Sequence, residues 1–178
     1  MRIYIMRHGT TVWNEKEITQ GRSQNRLSIA GKSLAEEVSL KNKNTKFDII
    51  ISSPLMRTMQ TSNIMNKYHK VKILKDERLT ELDKGIFTGR KKESLTKEEL
   101  ELKKTLHPST KIESKDQVYA RVKSFVDHLK EIKNYDNILV VTHAIVANLM
   151  CDILNNQEIQ LNHYRSNFKN CEIRCFEI

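Results

Sequence analysis

Three short runs of the chain are apolar at nearly every position: Ile3-Tyr4-Ile5-Met6, Phe47-Asp48-Ile49-Ile50-Ile51 and Asn137-Ile138-Leu139-Val140-Val141. A strand with one wet face alternates polar and apolar residues. Runs without that alternation predict strands buried on both faces, as in a parallel sheet covered by helices. Shorter strands are expected at residues 71–74 and 172–178.

Helical patterns fill the intervals. Ser28 can cap a helix whose Leu34 and Val38 share a face. Pro54 suits the first turn of a second helix, with Ile64, Met65 and Tyr68 toward the core. Residues 94–106 are helical in composition. Residues 114–135 carry Val118, Val122, Phe125, Leu129 and Ile132, alternately four and three apart, on one stripe. A last helix runs to Leu154. Strands alternating with helices predict an α/β chain, a three-layer α/β/α sandwich whose mostly parallel central sheet has helices on both faces. Residues 1–178 read as a single domain, with residues 86–113 as a small lid or helical insertion.

Parallel strands share one carboxyl edge, and open α/β sheets bind ligands there. Each apolar run stops at polar residues: Arg7-His8-Gly9, Ser52-Ser53-Pro54 leading to Arg57, and Thr142-His143-Ala144. Arg7, His8, Arg57 and His143 are therefore expected to converge. Arg57, Thr58 and Thr61 fall near a helix start, where free N–H groups and the helix dipole favour an anion.

Two arginines offer planar forks that grip phosphate oxygens bidentately, and a phosphoryl group carries about −1.5 to −2 charge near neutrality. One histidine can then act as nucleophile. Its attacking nitrogen must be unprotonated, and a free pKa of about 6.5 makes that form plentiful at pH 7. A neighbouring backbone carbonyl, that of Gly9 for example, would fix the tautomer. Departure of an alkoxide requires a proton, and Glu81 and Asp83, after the third strand, are the candidate carboxylic acids.

Composition narrows the classes. The formal charge of +9 suits phosphorylated partners. The basic residues, however, form scattered clusters at 41–46, 67–72 and 90–92, without an aromatic-interleaved basic stripe, so nucleic acid is not expected as a partner. No apolar run approaches the ~20 residues of a membrane span, and Arg7 and His8 interrupt the first run too early for a signal peptide, so no membrane partner is expected. The three cysteines, Cys151, Cys171 and Cys175, make no disulfide framework and fit a reducing, cytoplasmic setting. Cys171 and Cys175 read as core thiols on one face of a strand, roughly 13 Å apart. The histidines show no metal-site spacing, and His69, His107, His128 and His163 read as surface or packing residues. Trp13 reads as pocket wall or core.

Together, Arg7-His8-Gly9-Thr10-Thr11 with Trp13-Asn14, Leu27-Ser28 with Gly31, Ser52-Ser53-Pro54 with Arg57-Thr58 and Thr61, Leu79-x-Glu81 with Gly85 and Gly89, and Val141-Thr142-His143 resemble the histidine phosphatase superfamily, also called phosphoglycerate mutase-like. The resemblance covers nearly the whole chain. It implies a phosphohistidine on His8, phosphate held by Arg7, Arg57 and His143, Glu81 as proton donor, and no metal or other cofactor. It further implies that Thr10, Thr11, Asn14, Gln20, Gly21 and Ala144 approach the phosphate or line the pocket. The sequence departs from the family pattern in three places. Asn25-Arg26-Leu27-Ser28 stands where the family has Asp-x-Pro-Leu-Thr, Ala144-Ile145 stands where Gly-Gly usually follows the second histidine, and Ile112-Glu113-Ser114 stands for Gly-Glu-Ser.

The expected activity is a metal-independent phosphomonoesterase acting on a small phosphorylated metabolite, in a monomer or homodimer. The alternatives are a cofactor-dependent phosphoglycerate mutase and a phospho-ligand-binding module without catalysis. Mutases of this type resemble longer chains with an inserted segment closing the site, and a less closed site admits water to the intermediate.

Overall fold

The computed structural model describes residues 1–157 and 168–178; His163 lies outside the described residues. Five strands form the sheet: β1 (Arg2–Arg7), β2 (Ile49–Ser52), β3 (Ile73–Lys75), β4 (Asn137–Thr142) and β5 (Ile173–Glu177). Their order is β3-β2-β4-β1-β5. The pairs β1/β4, β2/β4 and β2/β3 are parallel, and β5 runs antiparallel to β1 at one edge. The central strands β2 and β4 are buried almost throughout, which is why their sequences do not alternate.

Helices cover both faces. On one face, α5 (Lys115–Glu131) and α6 (Ala144–Leu154) pack on Ile3, Ile5, Ile49, Ile51, Ile138 and Val140. The α5 stripe is fully buried at Val118, Val122, Phe125 and Leu129, each burial worth roughly 1.5–3 kcal/mol before entropic costs. On the other face, α2 (Ile29–Lys41) and α3 (Met56–Met65) meet Met6, Ile50, Leu139 and Val141 through Ala35 and Met65. The alternating side chains of each strand thus feed two separate cores. The predicted three-layer α/β/α sandwich is the observed architecture.

Strands β1 and β4 are neighbours in register, with Arg7 opposite Thr142. The chain leaving β1 reaches α2 on one face, and the chain leaving β4 enters α6 on the other. That divergence opens a crevice at the carboxyl ends of two adjacent strands.

Several local expectations change. The polar stretch after β1 contains a short helix, α1 (Val12–Glu15), capped reciprocally by Thr11 and Asn14. Leu55 is the N-cap residue of α3, so Pro54 precedes the helix instead of entering its first turn. Tyr68 lies beyond the end of α3 and is exposed, not turned to the core. The helix expected at residues 94–106 is the eight-residue α4 (Lys97–Lys104), because Thr96 and Glu99 form a capping box that starts it late. Cys171 is a core thiol, buried in a turn with a φ of 60° before β5, whereas Cys175 lies in the edge strand and is exposed, so only the first of the two is a core thiol and they do not share a strand. His107 and His128 are exposed, and His69 packs against Phe47. Among the described residues, no helix is long and apolar enough to cross a membrane.

Candidate active site

The turn after β1 is held from three sides. His8 N–H donates to the Thr142 carbonyl at 3.0 Å, carrying the β1/β4 ladder one residue past the strand. The Gly9 N–H donates to Thr61 Oγ1 at 3.0 Å, fixing the turn to α3. From the other end of the chain, Asn170 Nδ2 donates to the His8 carbonyl at 2.9 Å, and Cys171 N–H donates to that of Arg7 at 3.0 Å.

These bonds set the His8 ring beside that of His143, with centroids 5.2 Å apart. Nδ1 of His8 lies 2.7 Å from the Gly9 carbonyl oxygen. A carbonyl can only accept, so Nδ1 carries the hydrogen and Nε2 keeps the free lone pair. Burial pushes the His8 pKa well below 6.5, and the charges of Arg57 and Arg7 push the same way, outweighing the Gly9 bond. The ring is therefore neutral around pH 7.

Arg57 enters from the first turn of α3 and is almost wholly buried. Its Nε donates to His143 Nδ1 at 3.2 Å, Nη1 to the Ser23 carbonyl at 2.8 Å and Nη2 to the Gly21 carbonyl at 2.7 Å. Burial lowers its pKa to about 10, with Arg7 acting in the same direction and Glu81 opposing, so it stays charged at neutral pH. Arg7 Nη1 donates to the Phe168 carbonyl at 2.6 Å, while its buried Nε has no hydrogen-bond partner among the described residues. A buried, unsatisfied guanidinium N–H is costly unless an acceptor completes it.

His143 is the N-cap residue of α6. Its Nε2 lies 2.8 Å from Ser53 Oγ, and burial followed by the charge of Arg57 drives its pKa well below 6.5. Ala144 and Ile145, at the site of the usual glycines, take ordinary helical backbone in the first turn of α6, so neither position needs glycine's conformational freedom.

Glu81 completes the group. One carboxylate oxygen accepts from Leu82 N–H at 3.0 Å and the other from Ile145 N–H at 3.5 Å, beside the positive end of α6. It lies within electrostatic reach of Arg7, Arg57 and Lys84. Asp83 instead caps the next turn, accepting from Gly85 N–H at 2.8 Å.

The other expected pocket residues divide. The Gly21 carbonyl orients Arg57, and Ala144 adjoins His143. Asn14 and Gln20 both meet Thr11, whose Oγ1 lies 3.0 Å from Asn14 Oδ1 and 2.9 Å from Gln20 Oε1. The Thr10 carbonyl accepts from Ser28 N–H at 2.9 Å. Ser53 as partner of His143, and Asn170 with the Phe168 carbonyl as grips on the turn after β1, were not singled out by sequence reasoning. Ser53 stood inside a recognised strand end. The 168–170 segment carried no local signal, because its partners lie about 160 positions away in the chain.

Against known proteins, a family model described as "Histidine phosphatase superfamily (branch 1)" matches residues 3–178. A Yersinia enterocolitica protein named "Probable phosphoglycerate mutase GpmB" is 30% identical over 160 residues, covering 86% of this chain and 74% of that protein. A phosphoserine phosphatase from Entamoeba histolytica, solved with phosphoserine, superposes with a TM-score of 0.79 at 26% identity, covering 99% of this chain and 90% of that one. Bacillus stearothermophilus YhfR superposes with a TM-score of 0.88 at 20% identity, covering 99% and 91%, a likeness of fold.

Proposed function

Because the chain belongs to the histidine phosphatase superfamily, we propose that it is a phosphomonoesterase working through a phosphohistidine on His8. One contact carries the reading. The hydrogen bond between His8 Nδ1 and its own neighbour's carbonyl leaves Nε2 as a neutral nucleophile beside two arginines.

In this account Arg7 and Arg57 hold the phosphoryl oxygens, an anion supplying an acceptor for Arg7 Nε, which has none among the described residues. His8 Nε2 attacks phosphorus as the bond to the ester oxygen breaks. Glu81, in its acid form, gives that oxygen a proton, and the alcohol departs. Water then attacks the phosphohistidine, the Glu81 carboxylate takes a proton from it, and inorganic phosphate leaves with His8 restored. No step is assigned to a metal ion. The substrate proposed is a small phosphorylated metabolite. The segment 86–113 serves as a partial lid, joined to the loop at Thr19 by Gly89 N–H donating to the Thr19 carbonyl and Thr19 N–H donating to that of Arg90. A cytoplasmic setting fits three free thiols, one of them exposed.

A mutase that returns the phosphoryl group to a second hydroxyl is favoured by the name of the 30% identical relative. Assays with p-nitrophenyl phosphate in EDTA, and with 3-phosphoglycerate, separate the two. Hydrolysis by the wild type and its loss in His8→Ala support the phosphatase, whereas isomerisation outpacing phosphate release supports the mutase. No turnover of either compound would count against both.

A further inference from the structure

Glu81 sits in the short link between two 3-10 turns, Glu77–Leu79 and Gly85–Phe87, and its backbone is pinned carbonyl by carbonyl. Arg121 Nη1, from α5, donates to the carbonyls of Arg78 at 2.6 Å and Thr80 at 2.7 Å. Thr142 Oγ1 donates to that of Leu79 at 2.8 Å, and Arg22 Nε to that of Glu81 itself at 3.2 Å. On the far side of Glu81, Asp83 N–H donates to Glu113 Oε2 at 3.2 Å, and Glu113 N–H donates back to the Asp83 carbonyl at 3.2 Å.

Both gripping arginines meet on one carboxylate. Glu113 Oε1 accepts from Arg121 Nε at 2.7 Å and from Arg22 Nη2 at 2.9 Å, and Oε2 accepts from Arg121 Nη2 at 3.0 Å. The Glu113 side chain is only 9% exposed. Burial opposes its charge, but the hydrogen bonds and charges of Arg121 and Arg22 outweigh it and hold the carboxyl below its ordinary range. An ionised carboxylate with two bound guanidiniums is a rigid hub, since removing any partner strands a charge.

The hub also reaches the phosphate clamp. Arg22 lies between Gly21 and Ser23, whose carbonyls take the two Nη groups of Arg57. Through Arg22, the backbone that holds Arg57 is joined to the loop that bears the acid.

We propose that Glu113, with Arg22 and Arg121 bound to its carboxylate, is a positioning residue that sets the Glu81 carboxyl against the ester oxygen and ties its placement to Arg57. The inference rests on Glu81 being the proton donor in the reading above. General acid catalysis is exacting in geometry, so a loosened loop loses proton transfer before it loses phosphate binding.

The test compares kcat/KM, which reports steps up to departure of the alcohol, for p-nitrophenyl phosphate and glycerol 1-phosphate. The first leaves as a stabilised phenolate and needs little protonation; the second leaves as an alkoxide and needs the acid. Glu81→Gln, Arg22→Ala and Glu113→Gln are assayed beside the wild type, with thermal melts to check folding. Arg22 is 40% exposed in its side chain, so Arg22→Ala keeps the test available should the buried hub fail to fold without Glu113. The expected result is a loss of about 100-fold for Glu81→Gln and about 10-fold for Arg22→Ala and Glu113→Gln on glycerol 1-phosphate, with a smaller loss for Glu81→Gln on p-nitrophenyl phosphate and a loss under about threefold there for Arg22→Ala and Glu113→Gln. If Glu81→Gln separates the two esters but Arg22→Ala and Glu113→Gln do not, the hub is merely structural and the inference is overturned. If Glu81→Gln fails to separate them, the assignment of the donor falls first and the inference with it.

Discussion

Arg57 Nε donates to His143 Nδ1 across 3.2 Å, a hydrogen bond between a buried permanent cation and a buried imidazole. A guanidinium can only donate, so Nδ1 of His143 must be unprotonated and its one hydrogen sits on Nε2, 2.8 Å from Ser53 Oγ. The arginine thereby sets the tautomer of the second histidine while its other nitrogens hold the Gly21 and Ser23 carbonyls.

Arg57→Lys keeps the charge and loses this geometry. An ammonium on a flexible stem cannot satisfy His143 and two carbonyls together, and the buried Gly21 carbonyl is left at a cost of about 1–3 kcal/mol. The expected outcome is a fall in kcat/KM for p-nitrophenyl phosphate of at least about 100-fold, as when a preorganised donor is removed from a transition state. Activity within about threefold of wild type would show that charge alone suffices.

The two histidines also make stability depend on pH. Both have folded pKa values well below 6.5, chiefly through burial, whereas the unfolded chain titrates them near 6.5. Below that pH the unfolded state binds protons that the folded state refuses, so stability falls as pH drops from about 7.5 toward 5. The limiting slope is about 1.4 kcal/mol per pH unit for each histidine. His69, lowered by partial burial, adds in the same direction. Carboxylates held below their usual range, such as Asp76 and Glu113, act in a more acidic window. Urea denaturation across this range should give a steeper slope for wild type than for His8→Asn by up to about 1.4 kcal/mol per unit; equal slopes would mean that His8 protonates freely in the folded protein.

Gly31 bears on the turn after β1 from behind. A Cβ there would stand 1.9 Å from the Thr10 carbonyl oxygen and 2.7 Å from its carbon, so α2 and the chain after Gly9 meet backbone to backbone. Gly31→Ala must push them apart and is expected to cost at least about 2 kcal/mol and to lower turnover with it. A urea midpoint equal to wild type would show that the close approach is not needed.

Much of this was legible in the chain because parallel strands share one edge. Unbroken apolar runs located β1, β2 and β4, and the polar residues that ended them had to lie together, as Arg7, His8, Arg57 and His143 do. Where the reading slipped, local chemistry overrode composition: the Thr96–Glu99 box delayed α4, and a turn at Cys171 took that thiol out of β5. The hub at Glu113 could not be read at all. Its bonds to Arg22 and Asp83 span 91 and 30 positions, and no periodicity marks such pairs. The single antiparallel strand was equally silent, since an edge strand carries no pattern that reveals its direction.

The central claim is that His8 carries the phosphoryl group, and trapping it is the most direct measurement. Wild type mixed with p-nitrophenyl phosphate, quenched in base within a turnover and digested, should yield the peptide containing His8 with the mass of one added phosphoryl group, absent in His8→Ala and gone when substrate is exhausted. Rapid turnover with no such adduct, or with the adduct on another residue, would contradict the account.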